Sequence, residues 1–268
     1  MRLDGAVALV TGASSGIGRS AAMLLAERGT RLALAGRDQV ALSAVAERTG
    51  GQVIAVDLAE PGAAERVAGL ALGRWGRVDL LVSNAGAGWA GALAEMPSQI
   101  AERLVAVNLL APVRLTRAVL PGMLERGGGH LAYVGSIAGA TGVAREAVYA
   151  ATKAGLAAFA DSIREEVAGR GVGVSLTVPG VVDTPFFERR GSAYDRSWPT
   201  PIAPERVARA LLRAIESDRA EVFAPAWMRL PARFKGALPG LYRTLALRFG
   251  QSATGPRPGA TSGRSPQA

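Results

Sequence analysis

Seven short apolar runs punctuate the chain: "AVALVT" (6–11), "RLALAG" (31–36), "QVIAVD" (52–57), "VDLLVS" (78–83), "HLAYVGS" (130–136), "VGVSLTV" (172–178) and "AEVFA" (220–224). Between them lie alanine- and leucine-rich segments of helical period, among them 17–29, 61–75, 98–125, 147–169 and 204–217. Strands that are apolar throughout are buried on both faces, and helices between successive strands make the strands parallel. The alternation predicts an α/β fold, a doubly wound, mostly parallel seven-stranded sheet with helices on both faces. At 268 residues the chain is long enough for one such domain.

The rhythm breaks in three places. Residues 184–203, "TPFFERRGSAYDRSWPTPIA", form a long connection with three prolines; loops of that length inside a compact domain are usually functional. Residues 226–250 carry an apolar stripe at helical spacing among five bases and no acid, and Pro231 and Pro239 are expected to break it into short helices. Residues 251–268 are rich in Gly, Pro and Ser and are expected to be disordered. The expected organisation is one α/β domain over 1–225, a basic amphipathic extension over 226–250, and a tail over 251–268.

Composition removes several chemistries. With no cysteine, disulfides and thiolate catalysis are excluded, and no metal site is expected. The single histidine, His130, follows three glycines at a strand start and reads as a surface or edge residue. A Ser-His-Asp hydrolase would need it beside a G-x-S-x-G elbow, and "VGSIAG" has Val134 where the first glycine would stand. The net charge of +9 is localised: residues 222–268 hold seven bases and no acid, which leaves the rest of the chain at +2. A nucleic-acid partner therefore loses its support. The N-terminal apolar run is too short for a signal peptide or a membrane span, so a cytoplasmic location is expected.

The first strand runs into "VTGASSGIGRS" (10–20) and then a helix. Gly12 permits a tight turn, Gly16 lets backbone approach a pyrophosphate, and Gly18 lets the helix pack close to the sheet. The helix start offers free N–H groups and a positive dipole end to phosphates. The second strand ends "LALAGRD". Gly36 stands where an acid would hold the ribose 2′-hydroxyl of NAD, and Arg37 follows, suited to a 2′-phosphate. NADP(H) is thus favoured over NAD(H). Asp38 reads as a helix N-cap, with a displaced ribose acid as the alternative.

On a helix, Tyr149 and Lys153 share a face. Only two of the 31 basic residues are lysines, and of the four tyrosines only Tyr149 has one at i+4. A nearby cation is expected to lower the phenol's ordinary pKa of ~10 and let it act as general acid or base.

With "TGASSGIG" (11–18), Asp57, "NAG" (84–86), Asn108, Ser136, "YAATK" (149–153) and "PG" (179–180) followed by Thr184, the sequence resembles the short-chain dehydrogenase/reductases, in their shorter, non-extended branch. Ser83 and Gly135 depart from that family's usual Asn and Ser. The resemblance implies a Rossmann-like sheet and a role for each residue. Tyr149 would be the general acid in reduction, Ser136 would hold the carbonyl oxygen, and Lys153 would grip the nicotinamide ribose and depress the tyrosine pKa. Asn108 would anchor a water linking Lys153 to solvent. Gly12, Ser14, Ser15, Gly16, Ile17 and Gly18 would cradle the phosphates. Arg37, Asp57 and Leu58 would meet the adenosine end, and Asn84, Ala85 and Gly86 its ribose and the floor beneath the cofactor. Pro179, Gly180, Val182 and Thr184 would position the carboxamide. A homodimer through the fourth and fifth helices is implied, with a tetramer as the alternative.

Around the implied carbonyl site the residues are small or apolar: Gly86, Ala87, Gly88, Trp89 and Gly91, then "IAGATGV" after Ser136, with Phe186, Phe187 and Trp198 in the long loop. The expected substrate is an apolar carbonyl compound or alcohol, with the loop ordering over it. Arg189 and Arg190 read either as holders of an acidic group or as solvated charges. A non-catalytic nucleotide-binding scaffold is the competing class, and the intact catalytic set argues against it. The 226–250 segment has two readings: packing on the body, or peripheral contact with an anionic membrane such as the inner membrane surface.

Overall fold

In the computed structural model, residues 1–194 and 198–250 are described. Seven parallel strands form one sheet in the order β3-β2-β1-β4-β5-β6-β7: β1 Val7–Thr11, β2 Arg31–Gly36, β3 Gln52–Ala55, β4 Leu80–Ser83, β5 Gly129–Val134, β6 Val172–Pro179 and β7 Glu221–Ala224. The expected parallel, doubly wound sheet is what the chain forms. Register is tight in the middle, where Ala8, Leu9 and Val10 pair with Leu80, Leu81 and Val82.

Alternate strand residues supply the two cores. Leu9, Ala33, Leu81, Leu131 and Tyr133 face one side, where they meet α3 (Ala63–Trp75), α5 (Ala111–Glu125) and α7 (Ala147–Glu166). Ala8, Val10, Leu32, Leu80, Val82 and Ala132 face the other, against α1 (Gly16–Ala26), α2 (Gln39–Thr49) and α9 (Pro204–Glu216). Strand order reverses between β1 and β4, and the crevice beyond the carboxyl ends of these strands is where such sheets bind ligands.

The expected helix over 98–125 is α4 (Ser98–Val105), a π-helical turn over Ala106–Leu110, and α5. This run is apolar enough to cross a membrane by composition, yet Leu104, Leu115, Val119 and Met123 are buried in the protein core. The wider turn has a local cause. Pro112 stands four residues after Asn108 and has no N–H, so the Asn108 carbonyl loses its ordinary helical donor.

Two short helices arise inside segments without a helical pattern, α6 (Ile137–Thr141) and α8 (Phe186–Arg189). His130 corrects an expectation: it is 1% exposed, held in β5 with Nε2 2.8 Å from Ser175 Oγ. Because Ser175 donates its own proton to the Arg219 carbonyl at 2.8 Å, His130 is the donor to Ser175. Burial pushes its pKa down to about 4, so the 3.9 Å approach to Asp218 involves a neutral ring.

The first compact unit is Met1–Arg229, four residues longer than expected, because Met228 is buried against Gly180. The second begins at Leu230 and holds the rest of α10 (Arg229–Ala237) together with α11 (Pro239–Gly250). Phe234 meets Tyr242 edge-on at 6.2 Å. Pro239 opens α11, but Pro231 does not break α10: it sits in the first turn, where a missing N–H costs nothing. The expected disordered tail lies outside the described residues.

Candidate active site

The glycine loop is shaped by close contacts. Gly12 and Gly16 have φ of 66° and 53°, a region that favours glycine. A Cβ on Gly12 would stand 2.7 Å from Asn84 Nδ2, one on Gly16 2.8 Å from the Thr184 methyl, and one on Gly18 inside the Gly12 carbonyl. Thr11, to which the sequence reading gave no role, staples the loop to β4: its Oγ1 accepts from Asn84 N and Ala85 N, each at 3.0 Å. Asn84 Nδ2 returns a bond to the Thr11 carbonyl at 2.9 Å. A buried Thr at a strand end was the available signal. Ser15 is the N-cap of α1, its side chain makes no cap bond, and no acid stands in the first turn. Such a cradle of glycines at an open helix start fits a dinucleotide's phosphates.

At the end of β2, Asp38 accepts from Ala41 N at 2.9 Å and is the N-cap of α2. Gly36 leaves open the space beside Ser14, where a Cβ would stand 3.6 Å from Ser14 Oγ. Arg37 and Asp57 line one cavity of about 430 Å³ with Ile54, Val56 and Leu70. Burial raises the Asp57 pKa, but the Ala59 amide and Arg103, whose Nη2 lies 2.7 Å away, outweigh it and the net shift is downward. Arg103, on α4, carried no sequence signal. The side chains of Leu58 and Val182 are buried in the cores, and Ile17 packs there too. Leu58 and Val182 therefore offer a nucleotide chiefly their backbone, whereas Ile17 is half-buried and keeps part of its side chain exposed. Gly180 N donates to the Ala224 carbonyl at 2.9 Å, which fixes the turn after Pro179.

Beyond β5 the catalytic candidates converge. Ser136 caps α6, its Oγ accepting from Ala138 N at 3.1 Å, and its hydroxyl lies near enough to the Tyr149 phenol to pull the phenol's pKa down. Lys153, one turn along α7, donates from Nζ to the Val134 carbonyl at 2.8 Å. Gly139 lets α6 lie directly on α7: a Cβ there would be 2.7 Å from the Lys153 carbonyl carbon. Asn108 is fully buried; its Oδ1 accepts from Ala87 N at 2.8 Å, and its Nδ2 donates to the Ala87 carbonyl and to Thr152 Oγ1. Its side chain is thereby spent on bracing the loop after β4. The polar group it has left for a water is the carbonyl that Pro112 deprives of a donor.

The electrostatics reverse one expectation. Burial pushes Tyr149 up to about 12, and Glu146 adds to this; the nearby Ser136 hydroxyl and Arg190 pull it down. Lys153 is itself pushed down to about 8 by burial. Desolvation disfavours both charged forms and is the largest cause of both shifts. In this state the phenol is a proton donor, suited to the reductive direction.

The long loop lies over these groups. The Phe186 ring is 5.4 Å from that of Tyr149 and joins Ala138, Ala150 and Val143 in an apolar cluster. Arg190, read from sequence as a solvated charge or an acid holder, forms an ion pair with Glu146 in which both side chains are largely buried.

Residues 6–195 match the family model described as short chain dehydrogenase. Among solved structures, a short-chain dehydrogenase from Sphingobium yanoikuyae in complex with NADPH superposes with a TM-score of 0.79 at 28% identity, covering 97% of this chain and all of that one. A family member from Burkholderia phymatum in complex with NAD gives a TM-score of 0.79 at 25% identity, with 96% and 99% covered. The 3-oxoacyl-(acyl-carrier-protein) reductase FabG of Vibrio cholerae is 39% identical over 69% of this chain and 76% of its own. The chain belongs to the short-chain dehydrogenase/reductase family and is an NAD(P)-dependent oxidoreductase.

Proposed function

We propose that this protein is an NADP(H)-dependent carbonyl reductase or alcohol dehydrogenase acting on an apolar small molecule. The observation that carries this reading is the meeting of Ser136, Tyr149 and Lys153 under an apolar roof of Val143 and Phe186, beside the glycine cradle. The nicotinamide, when bound, supplies or takes the hydride. Tyr149 gives its proton to the carbonyl oxygen, and Ser136 holds that oxygen as charge develops. Lys153 binds the ribose hydroxyls and keeps a cation near the phenol. Asn108, through its carbonyl, holds the water that returns a proton. Arg37 favours the 2′-phosphate of NADP(H), since Gly36 and the capping role of Asp38 leave no acid for a 2′-hydroxyl.

The test is NADPH oxidation against a panel of ketones, aldehydes and β-ketoacyl thioesters, with Tyr149→Phe beside the wild type. Turnover of an apolar ketone, lowered by about a thousandfold or more in Tyr149→Phe, is expected. Equal rates in the two proteins would sink the mechanism, and NADPH binding without turnover of any carbonyl would favour the scaffold.

A second reading sets the enzyme at a membrane surface with a lipid-like or β-ketoacyl substrate. It is favoured by exposed Leu230, Leu241 and Leu247 among five bases and no acid, and by the chain's likeness to a 3-oxoacyl reductase. The assembly we propose is a cytoplasmic homodimer through the 98–125 and 147–166 helices, where Val105 and Leu110 are exposed.

A further inference from the structure

Glu146 stands at the N-cap of α7 but does not cap it: its side chain makes no bond to the free N–H groups of the helix. Ser, Thr, Asp and Asn are preferred there, because their short side chains reach those groups. The Glu146 carboxylate turns instead to Arg190, the C-cap of α8. The Arg190 and Glu146 side chains are 9% and 14% exposed, so both charges have largely left water. The chain enters α7 under strain. Arg145 has φ of 68°, a left-handed conformation that is costly for a residue with a Cβ, and its carbonyl accepts from Gly91 N at 2.9 Å.

Arg190 is held on its other sides as well. Its guanidinium lies over the Phe187 ring, 4.6 Å from the centroid, and its Nε donates to the Ser192 carbonyl at 3.0 Å. Its stem lies beside Phe186 over Gly88: a Cβ on Gly88 would stand 3.1 Å from Arg190 Cβ and 2.5 Å from the Phe186 ring. Phe186 in turn covers Tyr149. Both charges are near enough to act on the Tyr149 phenol, Glu146 raising its pKa and Arg190 lowering it. One ion pair therefore borders the general acid, in surroundings otherwise built from Ala138, Val143, Ala150 and Phe186.

A buried ion pair seldom stabilises a fold more than apolar residues of the same volume. Its consequence at this site is electrical. An anion that enters finds the Arg190 charge already matched by Glu146, and the water it gives up is not replaced. We propose that Glu146 is a specificity-determining residue: by neutralising Arg190 it restricts the site to uncharged carbonyl compounds and turns away those that carry a carboxylate. The inference rests on the reductase reading above. Without Glu146, Arg190 keeps its seat on Phe187 and its bond to Ser192, and its Nη1 becomes a buried, charged donor that a substrate carboxylate can satisfy.

The experiment measures kcat/KM with NADPH for levulinate and benzoylpropionate and for their methyl esters, and the binding of valerate by calorimetry. The wild type is expected to reduce the esters in strong preference to the acids and to bind no valerate. In Glu146→Gln the ratio of acid to ester should rise about a hundredfold, the worth of one charge-assisted hydrogen bond, and valerate should bind. Glu146→Ser should do the same, and because Ser also caps α7 its fold is supported independently. Arg190→Gln breaks the same pair but leaves the carboxylate, so it should go on rejecting acids. Equal changes for acid and ester in the Glu146 variants would make the pair a strap between helices and overturn the proposal. So would wild-type reduction of the acids as fast as their esters. Either result leaves the reductase reading standing, whereas a wild type that reduces no carbonyl compound would overturn both.

Discussion

In the proposed mechanism Lys153 is the residue on which the chemistry turns. It is buried, donates to the Val134 carbonyl at 2.8 Å, and has a pKa pushed down to about 8. It is charged below that value and neutral above it. If the cation supports proton donation by Tyr149, kcat/KM for carbonyl reduction is flat up to about pH 8 and falls beyond; a profile flat to pH 10 would deny the lysine that role. Lys153→Arg keeps the charge but must fit a planar fork where Gly139 already abuts the Lys153 backbone. Reduction is expected to slow by about a hundredfold, the usual result of misplacing a catalytic group by an ångström, while NADPH still binds. The i, i+4 spacing of Tyr149 and Lys153 was plain in the sequence. The sign of the tyrosine shift was not, because desolvation depends on what covers the ring.

Strand β5 shows how an element combines residues that read differently in sequence. Its side chains alternate between the two cores, as its apolar run implied, yet His130 in the same strand is buried and neutral. The folded pKa of about 4 lies below the ordinary 6.5. On acidification the unfolded chain therefore takes up the proton first. The stability that this residue supports is complete above about pH 6.5 and is lost as pH falls towards 4, about 3 kcal/mol in all. Urea unfolding at pH 7 and pH 4.5 checks this: the wild type should lose more stability than His130→Gln by nearly that amount, and equal losses would contradict it. The π turn in the 98–125 helix is another matter of the element. Pro112 was visible in the sequence, but that its missing N–H falls on the carbonyl of Asn108, beside the catalytic helix, emerges from the packing.

For the whole molecule, the sheet order sets the cradle after β1 and the loops after β4 and β5 at one crevice. The residues that meet there come from positions 11 to 190. The first unit, Met1–Arg229, holds every strand of the sheet and both main cores. A chain ending at 229 should therefore keep its fold and its NADPH oxidation. If the second unit is a membrane contact, this truncated chain no longer floats with vesicles of anionic phospholipid, whereas the full chain does. Flotation of both would remove the second unit from that role, and loss of folding would show that it packs on the body.

The order of strands and helices, the glycine cradle and the Tyr149–Lys153 pair could be read directly from the chain, because each is written in local spacing: apolar runs, glycines at a strand end, two residues one turn apart. Folding alone revealed the contacts made across long separations. Thr11 staples to Asn84, Arg103 to Asp57, Arg190 to Glu146 and Arg189 to Ser15. No period or motif marks these partners, since each is chosen by which loops the sheet brings together. Burial, too, is a property of the assembled chain, and it decides that Tyr149 holds its proton and that His130 stays neutral.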